Sequence, residues 1–245
     1  MSSAVHHVQS LTVPIGDLGG RWMLDREVLA AGTAAGHPNG YAYYVVGRGG
    51  VLGDVDADVV ASAFGFFAPS IVRHMWEAGI AAEPPRAASR RYGQGCADYW
   101  RPRLSGFSDA DRWVAIARRV ATEVDAAGLT LFAGWRGEPL PDDVDGQVAL
   151  LLHVLRELRG SVHIVAVVAV GMTPLEAVVS AGGAENATRF GWSDPLPDAD
   201  DRRRAEAEAL TDEILTGLYR RVLTEHQLAE FASLTAALAA HIGSR

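Results

Sequence analysis

His153 and Glu157 stand four residues apart, and His163 follows six residues later. Two histidines and a carboxylate at this separation could hold Fe(II) or zinc, or exchange a proton with a substrate. The spacing matches no familiar metal signature, however, and residues at i and i+4 also form an ordinary ion pair on the solvated face of a helix. A solvated face is therefore expected for His153 and Glu157, with no metal and no cofactor. His163 begins an apolar stretch, and at a helix N-terminus the dipole would keep its imidazole neutral, as a proton acceptor or a ligand contact. The plainer alternative is a buried histidine satisfied by a backbone partner. Arg48, between two glycines, and Arg73, beyond a phenylalanine-rich run, could each clamp a carboxylate or phosphate, or else form an internal salt bridge with Glu157 or Asp54. Tyr44, Phe67, Trp135 and Trp192 could wall an apolar pocket, although aromatic side chains at this density also build cores. The candidate set is thus His163 and Glu157 for proton transfer, with Arg48, Arg73, Tyr44, Phe67, Trp135 and Trp192 for ligand binding.

Familiar cofactor and nucleophile signatures are missing: there is no G-x-G-x-x-G, Walker loop, H-E-x-x-H, G-x-S-x-G or paired C-x-x-C. Cys96 has no histidine near it in sequence, which leaves a nucleophilic role unsupported. An enzyme built on this chain would be a cofactor-independent acid/base lyase, isomerase or cyclase.

The elements that must position these residues read as helices throughout, because no segment alternates convincingly. Residues 1–23, with Pro14, Gly16, Gly19 and Gly20, are expected to form an irregular arm. A bundle follows over 24–145. In it, a helix starts at Asp25, a short apolar one spans Tyr41 to Arg48, and a longer one capped by Asp56 is broken or kinked by Pro69. Ser108 and Asp111 form an S-x-x-D start, and 129–144 read as a loop lying against an apolar surface around Trp135. The third part, 146–245, begins with a helix that stops at Gly160, followed by one from His163 to Val170 that is apolar all round and should be central. Thr173-Pro174-Leu175-Glu176 is a capping box with proline at the first helical position, opening a helix that ends at Gly182-Gly183. Residues 184–198 read as irregular, and two closing helices follow, the second capped by Thr224 and Gln227.

The chain has 245 residues, 49% of them hydrophobic and 21% charged, enough for a sizeable core. All of its basic side chains other than histidine are arginine, a pattern of GC-rich coding. A formal net charge of −8 opposes binding to polyanions. A single cysteine fits a reducing cytoplasm, and no signal peptide or apolar run of about 18 residues is present, so neither secretion nor membrane association is expected. The last helices carry Leu223, Leu228, Phe231, Leu234 and Leu238, a repeat suited to pairing with a second copy in a homodimer.

Three stretches carry a family resemblance. They are Gly47-Arg48-Gly49-Gly50-Val51-Leu52-Gly53 with the helix that follows; Leu155-Arg156-Glu157-Leu158-Arg159-Gly160 with His163 and Gly171 to Ala177; and Arg189-Phe190-Gly191-Trp192-Ser193 with Thr211-Asp212. Together they resemble an actinobacterial family of MarR-like, winged helix-turn-helix proteins. The resemblance implies an N-terminal helical bundle packed on a winged helix-turn-helix, with a cleft between. In that pattern the Gly-Trp-Ser turn opens a recognition helix followed by a wing, whereas here it runs into Asp194-Pro195-Leu196-Pro197-Asp198, and Ser161 stands where an aspartate is expected. An acidic, proline-containing segment in place of a recognition helix would repel phosphates, so DNA is not expected as the partner. The combined expectation is an all-α protein in which a degenerate winged helix-turn-helix part packs on the bundle. It would bind a small molecule between them, as an enzyme of specialised metabolism or, alternatively, as a ligand-responsive regulator.

Overall fold

A computed structural model describes residues 3–243. The chain is all-α, with no strand among the described residues. Its helices are α1 (Ser3–Arg21), α2 (Arg26–Ala34), α3 (Gly40–Gly49), α4 (Ala57–Phe64), α5 (Pro69–Ile80), α6 (Pro85–Leu104), α7 (Ala110–Glu123), α8 (Thr130–Trp135), α9 (Val144–Ala169), α10 (Pro174–Arg189), α11 (Asp201–Val222) and α12 (Glu225–Gly243). The spine is α9, 26 residues and about 39 Å long. Helices α1, α6, α7, α8 and α11 pack around it.

The first departure from expectation is α1. Residues 3–21 are a helix because Ala4, Val8, Leu11, Ile15 and Leu18, at alternating spacings of four and three, put one apolar stripe against α9 and α12. Of the glycines that suggest a loop, Gly19 allows this close approach. A Cβ on Gly19 would lie 2.6 Å from both the Arg156 Cβ and the Leu152 carbonyl oxygen.

Gly160 does not end a helix either. A glycine inside a helix costs about 1 kcal/mol relative to alanine, which the packing of α9 overrides. The stretch beyond it is not wholly buried: Val165 and Val168 are 44% and 63% exposed. The expected loop after residue 128 contains α8, which buries Leu131, Phe132 and Trp135. The S-x-x-D start lies slightly early, since α7 begins at Ala110 after Asp109. Helical structure also resumes after a break at Gly182 and Gly183, so 184–189 are not irregular.

Other local signals act as expected. Pro69 starts α5 afresh after the turn at 65–68. Thr173 and Glu176 cap α10 reciprocally, and Thr224 and Gln227 do the same before α12. The apolar repeat of the closing segment is consumed within the chain, since Leu223, Leu228, Phe231, Leu234 and Leu238 are all buried. It presents no stripe to a second copy.

The Arg-Gly-Gly segment is a close-packing device. A Cβ on Gly50 would stand 2.0 Å from the Pro85 carbonyl oxygen, a backbone atom that can yield only if α6 moves. Gly50→Ala is therefore expected to destabilise the fold by about 3 kcal/mol or more, read as a lower urea midpoint.

Candidate functional site

Tyr43, Tyr44 and Arg48 are buried on α3, which lies between α5 and α6. On one side of α3 an apolar cleft of about 270 Å³ opens, with Tyr44 and Val45 from α3, Ile71 and Met75 from α5, Phe67 from the preceding turn, and Thr188, Arg189, Phe190 and Gly191 from the end of α10. The Phe67 and Phe190 rings meet at 4.6 Å between centroids, and Tyr44 and Phe67 at 5.8 Å. Two hydrogen bonds fasten the walls together: the Ala68 N–H donates to the Phe190 carbonyl at 2.9 Å, and Trp192 Nε1 donates to the Phe66 carbonyl at 2.8 Å. Gly191 sits at φ +83°, and a Cβ there would lie 2.6 Å from Ile71 Cγ2, so the turn requires glycine on both counts.

Behind the Tyr44 ring lies a buried polar cluster. Arg48 donates from Nε and Nη2 to the two carboxylate oxygens of Glu157, each at 2.9 Å, and from Nη1 to the Tyr44 hydroxyl at 3.2 Å. Arg156 adds a third donor to Glu157 at 3.0 Å. The Arg48 guanidinium lies 4.5 Å from the centre of the Phe64 ring, and Trp135 Nε1 donates to the Arg48 carbonyl at 3.0 Å. Burial alone would push the Glu157 carboxyl up, but Arg48 and then Arg156 hold it well below the usual carboxylate range. Arg48 is correspondingly held charged.

His153 is sealed against Trp135 and Trp22, with ring centroids at 4.4 and 5.2 Å and near-perpendicular planes. Neither ring nitrogen makes a hydrogen bond of ordinary geometry, although the Gly19 carbonyl lies to one side and Glu157 Oε1 is 4.0 Å from Nδ1. Burial pushes its pKa down to about 3, so the ring is neutral. The expected solvated face is thus a buried one: the broad apolar arc of α9 is surrounded by helices on every side at this level, and His153 and Glu157 are enclosed with it.

The other candidates are scattered. His163 lies in the body of α9, not at a helix start, so burial rather than a dipole lowers its pKa, with Glu208 opposing. Its Nδ1 is 2.9 Å from the Thr211 hydroxyl, which donates to the Ala207 carbonyl; Nδ1 is therefore the donor to Thr211. It does not line the cleft. Arg73 is a surface residue paired with Asp58. Trp192 clamps the outside of the cleft wall rather than lining it. Of the sequence candidates only Tyr44 and Phe67 line the cleft, with Arg48, Glu157 and Trp135 behind them. Met75, Ile71 and Phe190 were missed; the Arg189-Phe190-Gly191-Trp192-Ser193 stretch was the available signal for Phe190. Among the described residues no three His, Cys, Asp or Glu side chains are grouped to hold a metal ion, and no single helix is long and apolar enough to cross a membrane.

Helices α9 and α10 meet at 109° across the four residues 170–173, which include Gly171. Two helices near a right angle joined by a short glycine-containing turn are the geometry of a helix-turn-helix. A helix-turn-helix family model matches residues 15–202. The chain belongs to this helix-turn-helix family. No curated protein and no solved structure matches it. In this helix-turn-helix protein, the second helix of the turn, α10, carries Glu176, Glu185 and a single basic residue, Arg189, and Asn186 is engaged with the Val178 carbonyl. Residues 190–200 then follow without helix or strand.

Proposed function

We propose that this helix-turn-helix protein binds a small apolar ligand in the cleft between α3, α5 and the end of α10, as a MarR-like protein that keeps a ligand site while its DNA-reading part is reduced. The observation that carries the reading is the cleft itself: aromatic and aliphatic side chains from three elements converge on it, and its wall is pinned by the Trp192 and Ala68 hydrogen bonds. An acid/base enzyme is less well supported. Glu157 is neutralised by Arg48 and shut away from the cleft, and His163 does not line it.

The neutral fluorophore N-phenyl-1-naphthylamine tests the proposal. Saturable, one-to-one fluorescence enhancement at micromolar protein is expected, and Met75→Trp, which fills the cleft, should abolish it while leaving the circular dichroism spectrum unchanged. No saturable signal, or a signal indifferent to Met75→Trp, overturns the reading.

Family membership favours a second reading, a ligand-responsive regulator that binds DNA. Against it stand the net charge of −8 and the poverty of α10 in arginine, since phosphate contacts come mainly from basic side chains. In a gel-shift with promoter DNA at physiological salt, a nanomolar, salt-sensitive complex would establish the second reading and displace the reduced-DNA element of the first.

A further inference from the structure

The leucine repeat of the closing segment is used up inside the chain, and the open apolar surface lies elsewhere, where the C-terminal half of α9 runs beside α11. The two helices are antiparallel: His163 meets Thr211, and four residues further on Val167 clusters with Ala207. On their outer side a hollow of about 170 Å³ is lined by Leu129, Val162, Val165, Ile214 and Leu218, with Asp125 and Arg221 at its edge. Unlike the earlier turns of α9, this surface is in contact with water. Val165 and Val168, one turn apart, are 44% and 63% exposed, and Leu210, Ile214 and Leu218, at every fourth position of α11, are only half-buried. No element among the described residues covers this strip, and association is what removes such a surface from water.

The charges at the edge name the occupant. Asp125 accepts the Ala127 N–H at 3.0 Å and makes no ion pair, and Arg221 makes neither an ion pair nor a hydrogen bond among the described residues. A face that carries one unpaired charge of each sign, and a projecting valine beside a hollow, is complementary to itself. A partner of a single charge would leave one of the two unmatched. We propose that this face joins two copies of the chain in an isologous dimer. The two-fold axis runs along the groove between α9 and α11. Val165 of each copy then lies near the axis, Val168 of each enters the hollow of the other, and Asp125 of each faces Arg221 of the other.

Sedimentation velocity across about 1–100 µM protein measures the association. A reversible monomer–dimer equilibrium is expected, and Val168→Glu should raise its dissociation constant at least about tenfold by placing a carboxylate in the apolar contact. Arg221→Asp and Asp125→Arg, each alone, set like charges opposite one another twice per dimer and should weaken it about tenfold. Combined in one chain, the two reversals restore opposite charges and should recover the original dimer. All three positions are exposed, and circular dichroism verifies that the variants fold. A monomer throughout the range, a dimer indifferent to Val168→Glu, or single reversals that the double variant does not rescue overturn the proposal. A monomer that instead co-sediments with phosphatidylcholine vesicles, and loses them on Val168→Glu, assigns the face to a lipid surface and overturns it equally.

Discussion

Replacing Glu157 by alanine is expected to cost about 3–5 kcal/mol of folding stability. The reason is asymmetry. Arg48 is enclosed by Phe64, Tyr44 and the Trp135 edge of the core, and both carboxylate oxygens of Glu157 receive its fork. Without the carboxylate, a buried guanidinium loses its counter-charge and cannot reach water, nor can it shed its proton near neutral pH. Arg156, partly exposed, can turn outward and loses less. A paired apolar replacement, Arg48→Met with Glu157→Leu, removes both charges and both desolvation costs. That double variant should recover most of the stability, giving a coupling between the sites of about 2 kcal/mol or more in urea denaturation. Single losses that simply add in the double variant would show that the two side chains do not act as a pair.

Acid should destabilise the protein well above the range in which carboxylates titrate. The pKa of His153 falls from its ordinary 6.5 to about 3 on folding, because protonation would place a charge between Trp22 and Trp135. A group with a depressed folded pKa stabilises the native state above its unfolded pKa and gives up that stability as pH falls toward the folded value. For His153 the window therefore runs from about pH 6.5 down to about 3, at roughly 1.4 kcal/mol per pH unit. About 2 kcal/mol should be lost between pH 7 and pH 5. Glu157, also depressed, adds its own loss in the same direction, but only below its ordinary 4.5. Denaturant titrations at pH 7, 6 and 5 measure the slope, and His153→Leu should reduce it, leaving the share that His163, whose pKa burial also lowers, contributes in the same direction. An unchanged slope in that variant would assign the acid sensitivity to other groups.

The two predictions concern residues whose type was legible in the sequence and whose environment was not. Arg48 between glycines marks a cation that needs an anionic partner, and Glu157 is one of two partners nameable from the chain alone. Which one it meets depends on the Arg48 side chain of α3 reaching Glu157 on α9, across 109 residues of separation. For His153 and Glu157 the i, i+4 spacing led to the expectation of a solvated pair, whereas both side chains are buried. Periodicity reports which residues share a face, and only the number of neighbouring helices reports whether that face is covered. The same limit explains α1, where Gly19 resembles a breaker until a second helix is seen pressed against it.

What the sequence determined by itself was local: an all-helical chain, the capping boxes at Thr173 and Thr224, and the restart at Pro69. Each follows from side chains within a few residues of one another, where spacing alone decides which groups can meet. The tertiary structure decided which aromatic residues became core and which became cleft. Trp135 is sealed beneath Arg48 while Phe67 stands open beside Phe190, because burial depends on how many elements converge at a point, and residues 67 and 190 are brought together only by the closing of the chain.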